Sequence, residues 1–226
     1  MDGNNIKYKP KTFLPFLFDY ERKLVEKYGI EKPLHPVIAI SGFSGTGKNT
    51  HANLLRERIL EEMGIDLEIF DAGKIVREIA VKSGISEDEL YKFYKKYKNL
   101  EELDKEIEKE TLRKIILKGG IFVGRMSCFT AGKWGFKIWL TAPLEIIVKR
   151  IVSDPHRPEY GMDIEKAKEY IKKRDDIDKQ RLEKTYGIKF DELVKKVDLI
   201  VENIGDVKIV NEKIFTHVRK FLSKFL

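Results

Sequence analysis

The sequence predicts an α/β fold in which a parallel sheet is sandwiched by helices, and three observations carry that reading. Short apolar runs recur along the chain, among them Val37-Ile38-Ala39-Ile40, Ile121 to Val123 and Ile138 to Leu140. A strand buried on both faces reads as such a run rather than as an alternation. Charge-rich stretches of helical period separate these runs. The first run also leads at once into a glycine-rich turn and then a helical pattern. Regular strand–helix alternation puts helices on both faces of a parallel sheet.

Each element has its own signal. Residues 12–29 read as an amphipathic helix closed by a Gly-Ile-Glu-Lys-Pro break, an N-terminal helical extension over 1–36 that packs on the main domain at 37–226. A helix from Asn49 to about Met63 follows the glycine-rich turn, and Leu67 to Phe70 is a second strand with a helix from about Lys74. Ser86 with Glu89 three residues on is a helix-start signature. The helix from about Leu100 to Leu117 stops at Gly119-Gly120, and the strands at 121–123 and 138–140 come next. Pro143 opens a helix to about Ile151. An irregular stretch, 153–161, precedes a long charged helix from Ile164 to Tyr186, and residues of about 152–181 are the expected mobile lid. Leu199 to Val201 is the last strand, and Val207 to Phe225 the closing helix.

Composition narrows the function. A chain of 226 residues suits one domain with a small appendage, and its 42% apolar residues suffice for a core. No apolar stretch approaches the roughly 18 residues that span a bilayer, and Met1-Asp2-Gly3-Asn4-Asn5 lacks the basic and apolar regions of a leader, so no membrane partner is expected. The single cysteine, Cys128, has no intramolecular partner and suits a reduced, cytoplasmic setting. The formal charge of +7 fits nucleic acid or phosphorylated small molecules. Long runs mix Lys with Glu and no aromatic-basic interleaving is visible, so nucleic acid is not expected; a monomer is.

The strongest motif is Gly42-Phe43-Ser44-Gly45-Thr46-Gly47-Lys48-Asn49-Thr50, between a strand and a helix. Glycines let the backbone wrap tightly and aim N–H groups inward, and the helix adds its positive end, which makes a cradle for anionic oxygens. Lys48 supplies a point charge for β- and γ-phosphates, and Thr50 the nearest hydroxyl for a magnesium–phosphate unit. The fold is therefore expected to be of the P-loop NTPase type.

The loop departs from the general P-loop pattern, because Asn49 follows the lysine and the hydroxyl comes one residue later. It resembles the loop of the nucleoside-monophosphate kinases, G-x-x-G-x-G-K-G-T, with Asn49 in place of the last glycine. Phe70-Asp71-Ala72-Gly73-Lys74-Ile75-Val76-Arg77, Gly124-Arg125, Ile138 to Leu144 and Arg174-Asp175-Asp176-Ile177-Asp178-Lys179-Gln180-Arg181 resemble the archaeal-type cytidylate kinases over about Val37 to Gly205. The resemblance implies ATP and Mg2+ as cofactors and a nucleoside monophosphate, CMP or dCMP first, as acceptor. It also implies that Asp71, Gly73, Arg77 and Arg125 bind that acceptor. An acceptor of the adenylate-kinase kind and a regulatory nucleotide-binding protein remain open alternatives.

Arg174, Asp178 and Arg181 fall at i, i+4 and i+7 on one helix face, which predicts two guanidiniums held by one carboxylate in a fork suited to phosphates. Arg150 and Arg157 flank the irregular stretch and are candidates for further phosphate ligands, with a plain surface charge the commoner role for each. The resembled family has Asp or Glu before its Gly-Arg pair, whereas here Val123 stands there. Valine cannot organise magnesium-bound water, so either another carboxylate substitutes, with Asp71 the first suspect, or metal handling is weaker.

Overall fold

A computed structural model describes residues 8–84, 100–155, 157 and 159–226. Five strands, β1 Val37–Ser41, β2 Ile69–Asp71, β3 Gly120–Val123, β4 Phe136–Thr141 and β5 Leu199–Glu202, form one sheet in the order β2-β3-β1-β4-β5. Every neighbouring pair is parallel. The described helices are α1 Phe18–Tyr28, α2 Lys48–Met63, α3 Ala72–Lys82, α4 Leu100–Leu117, α5 Ser127–Ala131, α6 Leu144–Val152, α7 Ile164–Tyr186, α8 Phe190–Val194 and α9 Val207–Leu222. The helix start expected at Ser86 lies outside the described residues.

The period-2 geometry of β1 explains the two layers. Val37 and Ala39 join a core with Phe70, Phe122 and Trp139 under α1, α4 and α5. Ile38 and Ile40 join the opposite core with Leu55 and Ile59 of α2 and Ile214, Phe215 and Val218 of α9. A smaller core of Ile147, Val148 and Ile151 against Ala167 and Ile171 packs α7 onto α6. Asp163 caps α7, accepting from the Glu165 and Lys166 N–H groups at 3.1 Å each.

The N-terminal segment packs into the same core as the sheet: Leu14, Leu17, Leu24, Val25 and Ile30 are buried with Val37 and Ala39. Glu21, fully buried, accepts from the Lys11 N–H at 2.7 Å and the Thr12 N–H at 2.8 Å and pairs with the Tyr8 hydroxyl. Backbone bonds from Phe13 N–H to Phe129 O and from Lys133 N–H to Lys11 O, both 2.8 Å, tie the segment to α5 and the turn behind it.

The observed strand β2 runs to Asp71, one residue past the expected Phe70, so the carboxylate sits at the strand end in register with Val123. Helices α5 and α8 have no counterpart in the sequence pattern. Each is five residues long, too short to show a helical period.

Candidate active site

The phosphate loop bridges β1 and α2. Gly42 has φ +148° and Gly47 φ +88°, conformations that favour glycine. A Cβ at Gly42 would stand 2.4 Å from the Leu140 carbonyl oxygen, and one at Gly47 2.4 Å from Asn203 Nδ2. Gly45 lies against Ile147 and Ile151 of α6. Thr46 closes the loop by donating to the Phe43 carbonyl at 2.9 Å. The exposed Asn49 and Thr50 occupy the first turn of α2.

Asn203 braces this loop from behind, donating from Nδ2 to the Thr46 carbonyl at 2.9 Å. Its own carbonyl accepts from Arg150 Nη2 at 2.9 Å. Arg150, weighed between a phosphate ligand and a surface charge, is partly buried and tied through Nη2 to the residue that braces the loop. Arg157 reaches the loop front, with Nη1 3.4 Å from Ser44 Oγ while Nε pairs with Asp154 at 3.1 Å.

Lys48 Nζ donates to the Phe43 carbonyl at 2.7 Å. Burial, with Arg125 and Arg157 nearby, lowers its pKa to about 8, although Asp175 opposes the shift. Asp175 is raised, first by burial, and its Oδ1 is buried without a hydrogen-bond partner among the described residues. A concentration of half-desolvated positive charge at a glycine-lined cradle is a site that polyphosphate would stabilise.

The arginine fork differs from the expected one. Asp178 holds Arg125, at 2.5 Å, and Arg181, at 3.4 Å, while Arg181 also pairs with Asp104 of α4. Arg174 instead pairs at 2.6 Å with Glu159, a buried carboxylate in the irregular stretch before α7. The i, i+4, i+7 spacing does put all three side chains along one helix, but residues from other elements compete for them.

A cleft of about 360 Å3 runs from Ser44, Lys48 and Asn49 to Asp71, Gly73, Arg125 and Arg181. Ile75, Ile107, Met126, Leu182 and Tyr186 give it an apolar wall. Asp71 caps α3 with Oδ1, accepting from the Lys74 N–H at 2.8 Å. Arg77 does not line the cleft, but its Nη1 would lie 3.4 Å from a Cβ on Gly73, which does. Val123, buried at the end of β3, lines the cleft beside Gly124.

Comparison with known proteins agrees with this geometry. The profile of the cytidylate kinase-like family matches residues 37–203. The cytidylate kinase of Staphylothermus marinus is 33% identical over 191 residues, 84% of this chain and 98% of that protein. The chain belongs to the cytidylate kinase-like family. The cytidylate kinase of Haloarcula marismortui is 30% identical over 160 residues, covering 70% of this chain and 76% of that one. Among solved structures, shikimate kinase from Bacteroides thetaiotaomicron superposes with TM-score 0.53 at 15% identity, over 83% of this chain and 98% of that one. At that identity the likeness concerns the P-loop kinase fold alone.

As a member of the cytidylate kinase-like family the protein is a nucleoside-monophosphate kinase. The family match begins at Val37, so the buried N-terminal segment lies outside it. Asn203, which braces the loop, and Glu159, which holds Arg174, are contacts that the sequence pattern did not reveal. A lone polar residue after the last strand and a Glu in an irregular stretch carry no periodic signal.

Proposed function

We propose that this kinase transfers the γ-phosphoryl group of ATP to CMP or dCMP. The observation that supports the reading best is the continuity of one cleft, from Lys48 on the phosphate loop to Asp71, Gly73, Arg125 and Arg181. Two polyanions can lie end to end there, with positive side chains where they meet.

In this reading Gly42 to Thr50 hold the triphosphate, and Lys48 compensates charge on the transferring group. Asp71, Gly73 and Arg125 bind the monophosphate, with Arg77 beside Gly73 outside the cleft lining as a further candidate, and Arg174 and Arg181 approach from the lid helix, with Asp178 orienting Arg125 and Arg181. An oxygen of the acceptor phosphate attacks the γ-phosphorus, the bond to the β–γ bridging oxygen breaks, and ADP leaves with that electron pair. The attacking oxygen is already anionic at neutral pH, so no general base is required. Alignment and charge compensation are what the protein contributes.

The donor set suits magnesium. The ion usually takes one or two protein oxygens and otherwise water and phosphate, and the Thr50 hydroxyl is exposed in the first turn of α2 while Asp175 Oδ1 is an unpartnered buried acceptor among the described residues. No group of three or more metal-binding side chains gathers among the described residues. When bound, the ion would neutralise charge between the two phosphate chains. Neither a nucleic acid nor a second subunit is needed, and we expect a cytoplasmic monomer. Cys128 is buried, its thiol pushed up to about 12 by burial, and takes no part in the chemistry.

The test is ADP formation by purified protein with magnesium and ATP against CMP, dCMP, AMP, GMP and UMP. CMP and dCMP should be the best acceptors. A clear preference for AMP would overturn the base assignment, and ATP binding with no acceptor turned over would favour a regulatory role.

A further inference from the structure

The apolar wall of the cleft carries a buried carboxyl. Glu108 lies on the cleft wall at 8% exposure, in α4, among Ile107, Thr111, Leu182 and Tyr186. No ion pair holds it among the described residues. Its Oε2 instead bonds the hydroxyl of Thr130, which is fully buried behind it and also lies 3.2 Å from the Met126 carbonyl oxygen. Carboxylates are rarely buried without a cation partner, and a cleft-lining one has a large desolvation cost to offset.

Resting on the acceptor reading above, we propose that Glu108 selects the acceptor base, its Oε1 accepting a hydrogen bond from the exocyclic amino group of cytosine. The Thr130 relay fixes the polarity. When Glu108 is ionised, the Thr130 hydroxyl donates to Oε2. When Glu108 is protonated, a proton on Oε2 donates to Thr130, which in turn donates to the Met126 carbonyl. Burial pushes Glu108 up to about 7, so both states are accessible near neutrality, and in both Oε1 remains an acceptor. An acceptor at that point pairs with the 4-amino group of cytosine and faces the 4-oxygen of uracil without a proton between them. The mismatched base leaves two buried oxygens opposed, which is the kind of error a polar site rejects strongly. Tyr186, Asp104 and Arg181 line the same cleft, but Asp104 and Arg181 are engaged with each other. Burial and the nearby Glu108 keep the Tyr186 phenol protonated.

The unaltered enzyme supplies the first measurement. CMP is compared with the 5′-monophosphate of pyrimidin-2-one riboside, in which hydrogen replaces the amino group. Loss of that hydrogen bond should lower kcat/KM at least about tenfold. Glu108→Leu, whose apolar side chain suits the buried position while Thr130 keeps its bond to Met126, should lower kcat/KM for CMP by a similar factor. It should leave the amino-less analogue within about threefold of its value with the unaltered enzyme, since the lost contact was never made. Glu108→Gln, nearly isosteric, is read in the same way should Glu108→Leu not fold; its amide can turn either end to the base, so the CMP-to-UMP preference should narrow. CMP and the analogue used equally well by the unaltered enzyme, or equal losses on both in the variants, overturn the assignment while leaving the kinase reading intact. Preference for AMP, or no monophosphate turned over, overturns both readings together.

Discussion

Arg125 and Asp178 meet at 2.5 Å, and this ion pair joins the turn after β3 to α7. Asp178 takes Arg181 as well, and Arg181 takes Asp104 on α4, so three elements converge on the cleft through alternating charges. The side chains are partly exposed, at 17–29%, which limits what each pair adds to stability. In the proposed reading they hold two guanidiniums in place for a dianionic phosphate, which could replace the carboxylates without rebuilding the geometry.

Arg181 and Arg174 should therefore respond differently to truncation. Arg181→Ala is expected to lower kcat by at least about tenfold with ATP affinity nearly unchanged, because its contacts matter most once the acceptor phosphate is aligned. Arg174→Ala leaves buried Glu159 without its partner, so a stability loss of about 1–3 kcal/mol should accompany the fall in rate. Steady-state kinetics beside thermal melts separate the two. Equal melting temperatures for both variants would mean that the Arg174–Glu159 pair adds nothing to the stability of the stretch before α7.

Lys48 gives the next prediction, in two parts. Lys48→Ala should lower turnover at least about a hundredfold by removing charge compensation from the transferring group. In the unaltered enzyme the ammonium loses its proton as pH rises through about 8, since burial and the neighbouring arginines favour the neutral form. Bound polyphosphate favours the charged form and raises that pKa. The alkaline limb of kcat/KM for ATP should accordingly fall near pH 8, and that of kcat at higher pH. Coincident limbs in the two profiles would show that Lys48 is not the group titrating.

Much of this site is legible along the chain because its constraints are local. The glycines at 42, 45 and 47, with Lys48 one step on, are demanded by a single strand–turn–helix unit. The periodicity of Arg174, Asp178 and Arg181 likewise needs only one helix. Their partners are a different matter. Glu159, Asp104 and Arg125 reach α7 from three separate segments, and spacing within a helix cannot choose among carboxylates that the fold brings in. Asn203 becomes a brace for Thr46 only because β5 pairs with β4 and its own N–H meets the Thr141 carbonyl at 2.7 Å. Glu21 reads as a surface charge on an amphipathic helix, and its complete burial follows from the chain looping back over it.

That burial gives a test of the N-terminal segment. Glu21→Ala strips the partner from the N–H groups of Lys11 and Thr12 and from the Tyr8 hydroxyl. One buried donor and two partly buried ones left unpaired cost about 2–5 kcal/mol in all. For a chain of this size the melting temperature should fall by roughly 5–15 °C. Activity measured well below the new melting point should be nearly unchanged, because the segment lies outside the cleft. A variant that melts like the unaltered protein would show that these residues are not part of the cooperative core.

The remaining prediction asks which carboxylate serves the metal in the absence of one at Val123. Asp71 stands beside Val123 in the strand register, but its Oδ1 already accepts from the Lys74 N–H as the cap of α3. Asp175 is the other candidate, because its Oδ1 lacks a hydrogen-bond partner among the described residues, although Lys48, Arg125 and Arg174 already stabilise its charge. Burial raises its pKa, a cost that a bound cation would reverse. Asp175→Asn should therefore raise the magnesium concentration for half-maximal activity several-fold, and Val123→Asp, by placing a carboxylate at the end of β3, should lower it. Magnesium titrations at fixed ATP, paired with binding of magnesium-free ATP, separate metal handling from nucleotide affinity. If Asp175→Asn leaves the magnesium requirement unchanged while Asp71→Asn raises it, the strand-end residue is the one that serves, and the unpaired oxygen of Asp175 belongs to the electrostatics of Lys48 alone.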